Sequence, residues 1–447
     1  MHSLSPLLDA LAKSIAQGEL TPHGVAESIM RILRKEYAFI PTFAARVVQR
    51  FGIGSRPRLK RVRSFLNEAG LQKPLRKISP RVLSNLPALE PVMRPALGAA
   101  QGWSLPSLPT WSALAEWLGE DLAHLEWLAD ERAWETRAIA EHLRHYRRKW
   151  IMKRDGSARL LECPKPRLKA IQRRILHEIL DHIPPHESAH GFRMGRSALT
   201  CAESHVGQEV VLRMDLRDFF PCVPRWRVIG IFMTAGYPEH LAVVLANLCC
   251  TNTPASVISE YPLMAAQRLD SRWWFRHVYQ KAHLPQGAPT SPALANLCAY
   301  RMDCRLQGYA EMAGARYTRY ADDLIFSGGA TFARSVERFH IRATGIVYEE
   351  GFIPHTRKTR IMRQSHRQVA VGIVVNAKPN VSRREFDELK AILHNCVKHG
   401  PEGQNRTGVS DFRAHLAGRI SYVRSLHPEH GAKLQAEFEK ICWEPSD

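Results

Sequence analysis

Apolar residues recur at helical spacing near the start of the chain. Leu7, Leu8, Leu11 and Ile15, then Ile29, Ile32 and Leu33, fall on successive stripes, which predicts a small helical unit over residues 1–73. Prolines at 74, 80, 87, 91, 95, 106 and 109 then leave few stretches long enough for regular structure, so residues 74–110 read as a linker. From Trp111 the series Leu114, Trp117, Leu118, Leu122, Leu125, Leu128 restores an amphipathic helical pattern, with the tryptophans facing a core. At Trp150 the period changes. Residues 150–153 and 158–161 suit two short strands joined by a turn at Asp155-Gly156, a basic β-hairpin. Over residues 166–182, Leu168, Ile171, Ile175, Leu176 and Ile179 make one helical stripe, leaving Arg167, Lys169, Arg173 and Arg174 outside it.

Two later stretches have the signature of strands that end in acid. Residues 210–214 are apolar apart from Arg213, open with the β-branched pair Val210-Val211, and stop at Asp215. Tyr317-Thr318-Arg319-Tyr320-Ala321-Asp322-Asp323-Leu324-Ile325-Phe326-Ser327 reads as a strand, a tight turn bearing adjacent acids, and a returning strand. After residue 376 the helical period returns. Ser382 and Glu385 form a capping box ahead of Phe386, Leu389, Ile392 and Leu393, and Gly418, Ile420, Tyr422 and Val423 lie in a second helix. No repeat of 20 to 50 residues is visible, which argues against a solenoid.

Charge narrows the partners. Lys and Arg number 63 against 43 Asp and Glu, a formal balance of +20 over 447 residues, so an acidic partner is expected. With 45% hydrophobic residues the chain can bury a real core and is not a disordered polycation. Arg56, Arg58, Lys60, Arg61 and Arg63 could track a phosphate backbone or form a solvated helix face. The nine cysteines include no Cys-x-x-Cys pair, which argues against a zinc ribbon or a disulfide framework and for a reducing compartment. The N-terminus lacks a basic leader with an apolar core, and no apolar run approaches the roughly 20 residues of a membrane span. A soluble, cytoplasmic protein with no membrane partner is expected. His177, His182, His186 and His190 invite a zinc reading, but Pro184-Pro185 breaks the helix and no thiolate is near. Neither a P-loop nor a Gly-x-Ser-x-Gly elbow occurs.

The acids carry the chemistry. Adjacent carboxylates repel, and divalent cations with hard oxygen ligands relieve that cost. With a third acid from another strand the set becomes a two-metal site for in-line phosphoryl transfer. Tyr-Ala-Asp-Asp between apolar strands, preceded by Leu284-Pro285-Gln286-Gly287-Ala288-Pro289-Thr290-Ser291-Pro292 and by the Asp215 strand, resembles the palm of reverse transcriptases. The closer resemblance is to retron-type bacterial reverse transcriptases. It runs through Ala189-His190-Gly191-Phe192 with Gly195-Arg196-Ser197, then Asp215-Leu216-Arg217-Asp218-Phe219-Phe220-Pro221, then Tyr317 to Asp323, and covers residues 110 to 440.

The resemblance implies an α+β right-hand polymerase: fingers and antiparallel-sheet palm over 111–376, a helical thumb over 377–447, and a helical N-terminal extension before them. It implies RNA-directed DNA synthesis with two Mg²⁺ ions held by Asp215, Asp322 and Asp323, with the Leu216 carbonyl as a further ligand. Phe220 matches the aromatic gate against a 2′-hydroxyl, and Gln286 and Gly287 match the loop that contacts the incoming deoxynucleoside triphosphate and template. Lys358 matches the lysine that protonates the leaving pyrophosphate, and Arg159 and Lys169 match the fingers residues that clamp the triphosphate. The expected partners are a structured non-coding RNA and its cDNA product, with a separate effector protein as a further candidate and antiphage defence as the setting. RNA contacts are expected at Arg144, Arg147, Arg148, His205, Arg360 and Arg363.

Two hallmarks of the family differ here. Asn-Ala-x-x-His is replaced by Cys201-Ala202-Glu203-Ser204-His205, and Val-Thr-Gly by Ala370-Val371-Gly372. Both changes remove hydrogen-bonding groups. They leave open a defence-associated reverse transcriptase without 2′,5′-branched priming. A non-catalytic RNA-binding scaffold is the reading of another class, and its usual sign, loss of a palm acid, is not seen.

Overall fold

The computed structural model describes residues 5–443 except 56, 69–74, 76–77, 79–91, 97, 99, 101, 154–155, 263–268 and 407. Contacts divide the chain into two units, Met1–Pro184 with Phe220–Cys298, and Pro185–Phe219 with Ala299–Asp447.

The first unit opens with helices Ser5–Gln17, Pro22–Leu33, Ile40–Phe51 and Leu59–Leu66. The second of these starts where Thr21 accepts the Gly24 N–H and Pro22 supplies a preset first residue. Their stripes bury Leu11, Ile15, Ile29, Ile32, Val47 and Val62 in one cluster, which Leu75 and Ile78 join. Of the basic run, Arg58 donates to the Trp226 carbonyl at 2.8 Å and Arg63 pairs with Asp9 at 2.8 Å. Lys60 and Arg61 are exposed, while Arg56 lies outside the described residues. Much of the expected linker also lies outside them. Its described end is fastened rather than free: Arg94 and Ala96 donate their N–H groups to Gly236 and Thr234 at the end of helix Arg225–Thr234. A Cβ at Gly236, whose φ is +108°, would sit 2.6 Å from the Pro95 nitrogen, so the close approach needs glycine.

The hairpin is longer than its sequence pattern suggests. Strands β1 (Tyr146–Met152) and β2 (Ala158–Pro164) pair from Tyr146↔Pro164 to Met152↔Ala158, and Asp155 in its turn lies outside the described residues. Helix Pro166–Glu178 follows, burying Leu168, Ile171 and Ile175. Helices Trp111–Leu118, Leu122–Ala129, Glu239–Cys249, Ala255–Ser259, Leu269–Tyr279 and Ser291–Cys298 also belong to this unit.

The second unit is built on one antiparallel sheet in the order β4 (Arg316–Tyr320), β5 (Asp323–Gly328), β3 (Val210–Asp215), β6 (Arg360–Arg363). Alternate residues serve opposite faces. Phe326 stacks on Tyr317 at 4.8 Å and meets Phe339 of helix Ala330–Glu349 at 5.0 Å. Val211 and Ile325 instead join a cluster with Leu389, Leu393, Leu416 and Ile420, from helices Arg383–His399 and Phe412–Leu426. The expected Ser382–Glu385 capping box is formed. Among the described residues no helix is long and apolar enough to cross a membrane.

Candidate active site

The sheet brings the three acids to one end of its two central strands. Asp215 ends β3 directly opposite Asp323, the first residue of β5. Tyr320 pairs with Asp323, so Ala321-Asp322 forms a two-residue turn, and Ala321 sits in the left-handed region at φ +54°. The Leu216 N–H donates to the Asp322 carbonyl at 2.8 Å and the His355 N–H to the Asp215 carbonyl at 2.6 Å, fixing both backbones. From the short turn Thr356–Lys358, the Lys358 ammonium reaches both Asp215 oxygens at 3.1 and 3.2 Å. Arg213, two residues before Asp215, grips Asp323 at 2.9 and 3.0 Å.

Electrostatics follow from this placement. Burial, then the neighbouring Asp215 and Asp323 charges, push the Asp322 carboxyl up to about 6. Burial also raises Asp323, against the opposing pull of Arg213. Three carboxylates against two side-chain cations leave surplus negative charge, and every donor is oxygen, which fits Mg²⁺. Among the described residues no group of three or more His, Cys, Asp or Glu side chains is placed to hold a metal ion by itself. An ion here would draw part of its shell from substrate phosphates and water.

The surroundings explain the Ala-His-Gly-Phe segment. Ser188 and His190 exchange backbone hydrogen bonds with Arg319 at 2.7 and 2.8 Å, laying the segment along β4. A Cβ on Gly191 would come within 2.6 Å of the Ala321 nitrogen, so glycine lets this segment pass under the acidic turn. Beneath the same hairpin, His205 is fully buried. It bonds Ser327 of β5 at 2.6 Å and Thr318 of β4 at 2.7 Å. Burial pushes its imidazole down to about 3. His205 therefore presents no exposed surface at the place where an RNA contact was expected, and the neutral ring ties two palm strands together. Cys201 belongs to the same interior, 3.0 Å from the Thr318 hydroxyl, and Val371-Gly372 is the turn joining β7 (Val369–Ala370) to β8 (Ile373–Val374).

The Arg148 side chain, expected to contact RNA, is turned inward and bonds Glu135 at 2.8 Å, Glu162 at 3.0 Å and Thr251 at 2.8 Å. Burial alone would raise the Glu162 carboxyl, but His283, Arg148 and Thr253 overcome it and hold it at about 2. Arg147 is exposed, Arg144 is half-buried and donates to the Ala138 carbonyl, and Arg360 and Arg363 are exposed.

The remaining expected residues belong to the first unit. The Gln286 carbonyl accepts the Glu162 N–H at 2.9 Å, docking its loop on β2. At Gly287, φ is +129° and a Cβ would meet Cys163 Sγ at 2.9 Å. Phe220 and Lys169 are half-buried and Arg159 is exposed. In the histidine series, His177 pairs with Asp181 and His190 with the Thr200 hydroxyl, each at 2.9 Å.

Comparison with known proteins agrees with this arrangement. The family model described as reverse transcriptase (RNA-dependent DNA polymerase) matches residues 151–374. The retron Mx65 reverse transcriptase of Myxococcus xanthus is 40% identical over 301 residues, covering 66% of this chain and 64% of that protein. The retron Mx162 reverse transcriptase of the same organism is 36% identical over 357 residues, 76% and 69% of the two chains. The retron Ec86 reverse transcriptase of Escherichia coli is 30% identical over 284 residues, 63% and 76% of the two chains.

Proposed function

The chain belongs to the retron-type reverse transcriptases, and from that premise we propose that it copies its own structured non-coding RNA into DNA joined to that RNA. The observation that carries the polymerase reading is the convergence of Asp215, Asp322 and Asp323 at one end of the central strands, beside Lys358. Two Mg²⁺ ions held there by the three carboxylates and the Leu216 carbonyl would supply activation of the primer hydroxyl and neutralisation of the leaving pyrophosphate.

The chain's own groups do the rest. Lys358, which neutralises Asp215 in this structure, carries the proton that the departing pyrophosphate takes up. Arg213 holds the Asp323 carboxylate in a bidentate grip, fixing its orientation at the turn. Phe220 excludes a 2′-hydroxyl and so selects deoxynucleotides, and Gln286 and Gly287 seat the nucleotide and template. Arg159 and Lys169 clamp the triphosphate. Exposed Arg147, Arg360 and Arg363, with Arg144, track RNA backbone, which suits a chain of net charge +20. The setting is cytoplasmic antiphage defence.

Priming separates this reading from a reverse transcriptase with an ordinary primer. The purified protein should carry one defined RNA joined to DNA by a 2′,5′ linkage. A debranching enzyme should then shift the extracted product on a denaturing gel. A product with a 3′-primed or protein-linked end would overturn the retron priming while leaving the polymerase chemistry intact. Absence of any DNA synthesis would favour the scaffold reading.

A further inference from the structure

Arg319 is fully buried, and among the described residues it is the largest of the fully buried side chains. Its guanidinium faces the Asp303 carboxylate at 2.8 and 2.7 Å, and the Tyr317 hydroxyl donates to the same carboxylate at 2.8 Å. An ion pair so deep contributes little that well-packed apolar residues would not, because both charges must be stripped of water. What an apolar residue could not do is donate a hydrogen bond. Arg319 Nη1 reaches the carbonyl of Ala321 at 3.2 Å, inside the turn that carries Asp322.

That turn needs bracing. Ala321 is left-handed, a conformation disfavoured for any residue with a Cβ, and such geometry lasts only where the surroundings over-determine it. Gly191 supports the turn from below and the Leu216 N–H holds the Asp322 carbonyl. Arg319 supplies the third support and is itself pinned through its backbone to Ser188 and His190. A guanidinium can grip Asp303 with one edge and spare a further N–H for the turn, whereas a lysine has one nitrogen.

We propose that the Asp303–Arg319 pair is the device that sets the catalytic turn, with Arg319 a positioning residue for Asp322 and Asp323. The consequence for catalysis rests on the polymerase reading above. Arg319→Lys keeps the charge and loses the second contact, so kcat for primer extension falls by about tenfold or more while the deoxynucleotide KM and primer-template affinity stay within about threefold. Asp303→Asn acts on the same pair, and the double variant is no worse than the poorer single one. Tyr317→Phe removes one hydrogen bond to Asp303 and leaves the Arg319 contacts with Asp303 and Ala321 in place, so it lowers the unfolding temperature while kcat stays within about threefold.

Hydrogen–deuterium exchange supplies a readout free of activity. In Arg319→Lys, faster exchange is expected in the peptide spanning 320–324 and not in β6 or helix Ala330–Glu349. If the wild-type protein extends no primer, the polymerase reading fails, yet the exchange result still decides the role in the turn. The proposal is overturned if Arg319→Lys keeps wild-type exchange at the turn. It is also overturned if kcat tracks the folded fraction alike in all three single variants, or if neither Arg319→Lys nor Asp303→Asn folds.

Discussion

Replacing His205 with Gln tests whether this histidine is a clamp in the palm or a contact for RNA. The ring joins Thr318 to Ser327 from a site with no solvent exposure, and its folded pKa is about 3 against an ordinary 6.5. A base whose folded pKa is depressed stays neutral when folded but picks up a proton when unfolded. Its contribution is therefore intact above pH 6.5 and is lost progressively as pH falls toward 3. At pH 5 the loss is 1.5 pH units at about 1.36 kcal/mol each, about 2 kcal/mol. Glutamine offers donors and an acceptor but does not titrate. Urea unfolding followed by tryptophan fluorescence should show His205→Gln less stable at pH 7.5, by about 1–2 kcal/mol for imperfectly replaced buried hydrogen bonds. At pH 5 that gap should close or invert, because the wild type alone has lost its 2 kcal/mol. Other titrating groups, His190 and Glu162 among them, are common to both proteins and cancel in the difference. A gap that stays constant between the two pH values would refute the buried-clamp argument. A variant of unchanged stability with weakened RNA affinity would return His205 to the RNA surface.

Two further tests concern the proposed chemistry. Asp322→Asn with Asp323→Asn keeps size while removing two of the three charges, so primer extension should fall by about a thousandfold or more while RNA affinity, measured by filter binding, persists; extension at the wild-type rate would sink the two-metal assignment. On the proposed gate role, Phe220→Ala should admit a 2′-hydroxyl and lower the ratio of deoxynucleotide to ribonucleotide efficiency, and an unchanged ratio would make Phe220 a packing residue.

The acids were legible because their pattern is costly. Apolar strands that deliver adjacent carboxylates to a tight turn make poor sense as packing, and the structure has that hairpin with Asp215 opposite Asp323. What the pattern concealed was the ionic framework around them. Arg148 sits between Tyr146 and Trp150 on β1, and Arg319 two residues after Tyr317 on β4, each on the inward face of its strand. Read by charge, such residues look solvated; read by the period of two, they follow their aromatic neighbours inward. The signal for Arg213 was equally available, since residue i−2 on a strand shares the face of Asp215. Asp303 could not be found in this way, because it comes from helix Tyr300–Met312 and only the folded sheet brings it to Arg319.

The same logic separates the two departures from the family pattern. Cys201 and His205 point into the interior beneath β4 and β5, so loss of an amide there changes packing against Thr318 before it changes any contact with RNA. Val371 lies in a two-residue turn at φ +50°, a conformation in which a β-branched side chain is strained. Threonine at that position would be strained as well, so valine removes a hydroxyl without relieving the backbone. The first change therefore bears on palm stability, measurable as an unfolding midpoint in Cys201→Asn. The second, half-buried at a turn, is the better of the two places to look for an altered RNA contact.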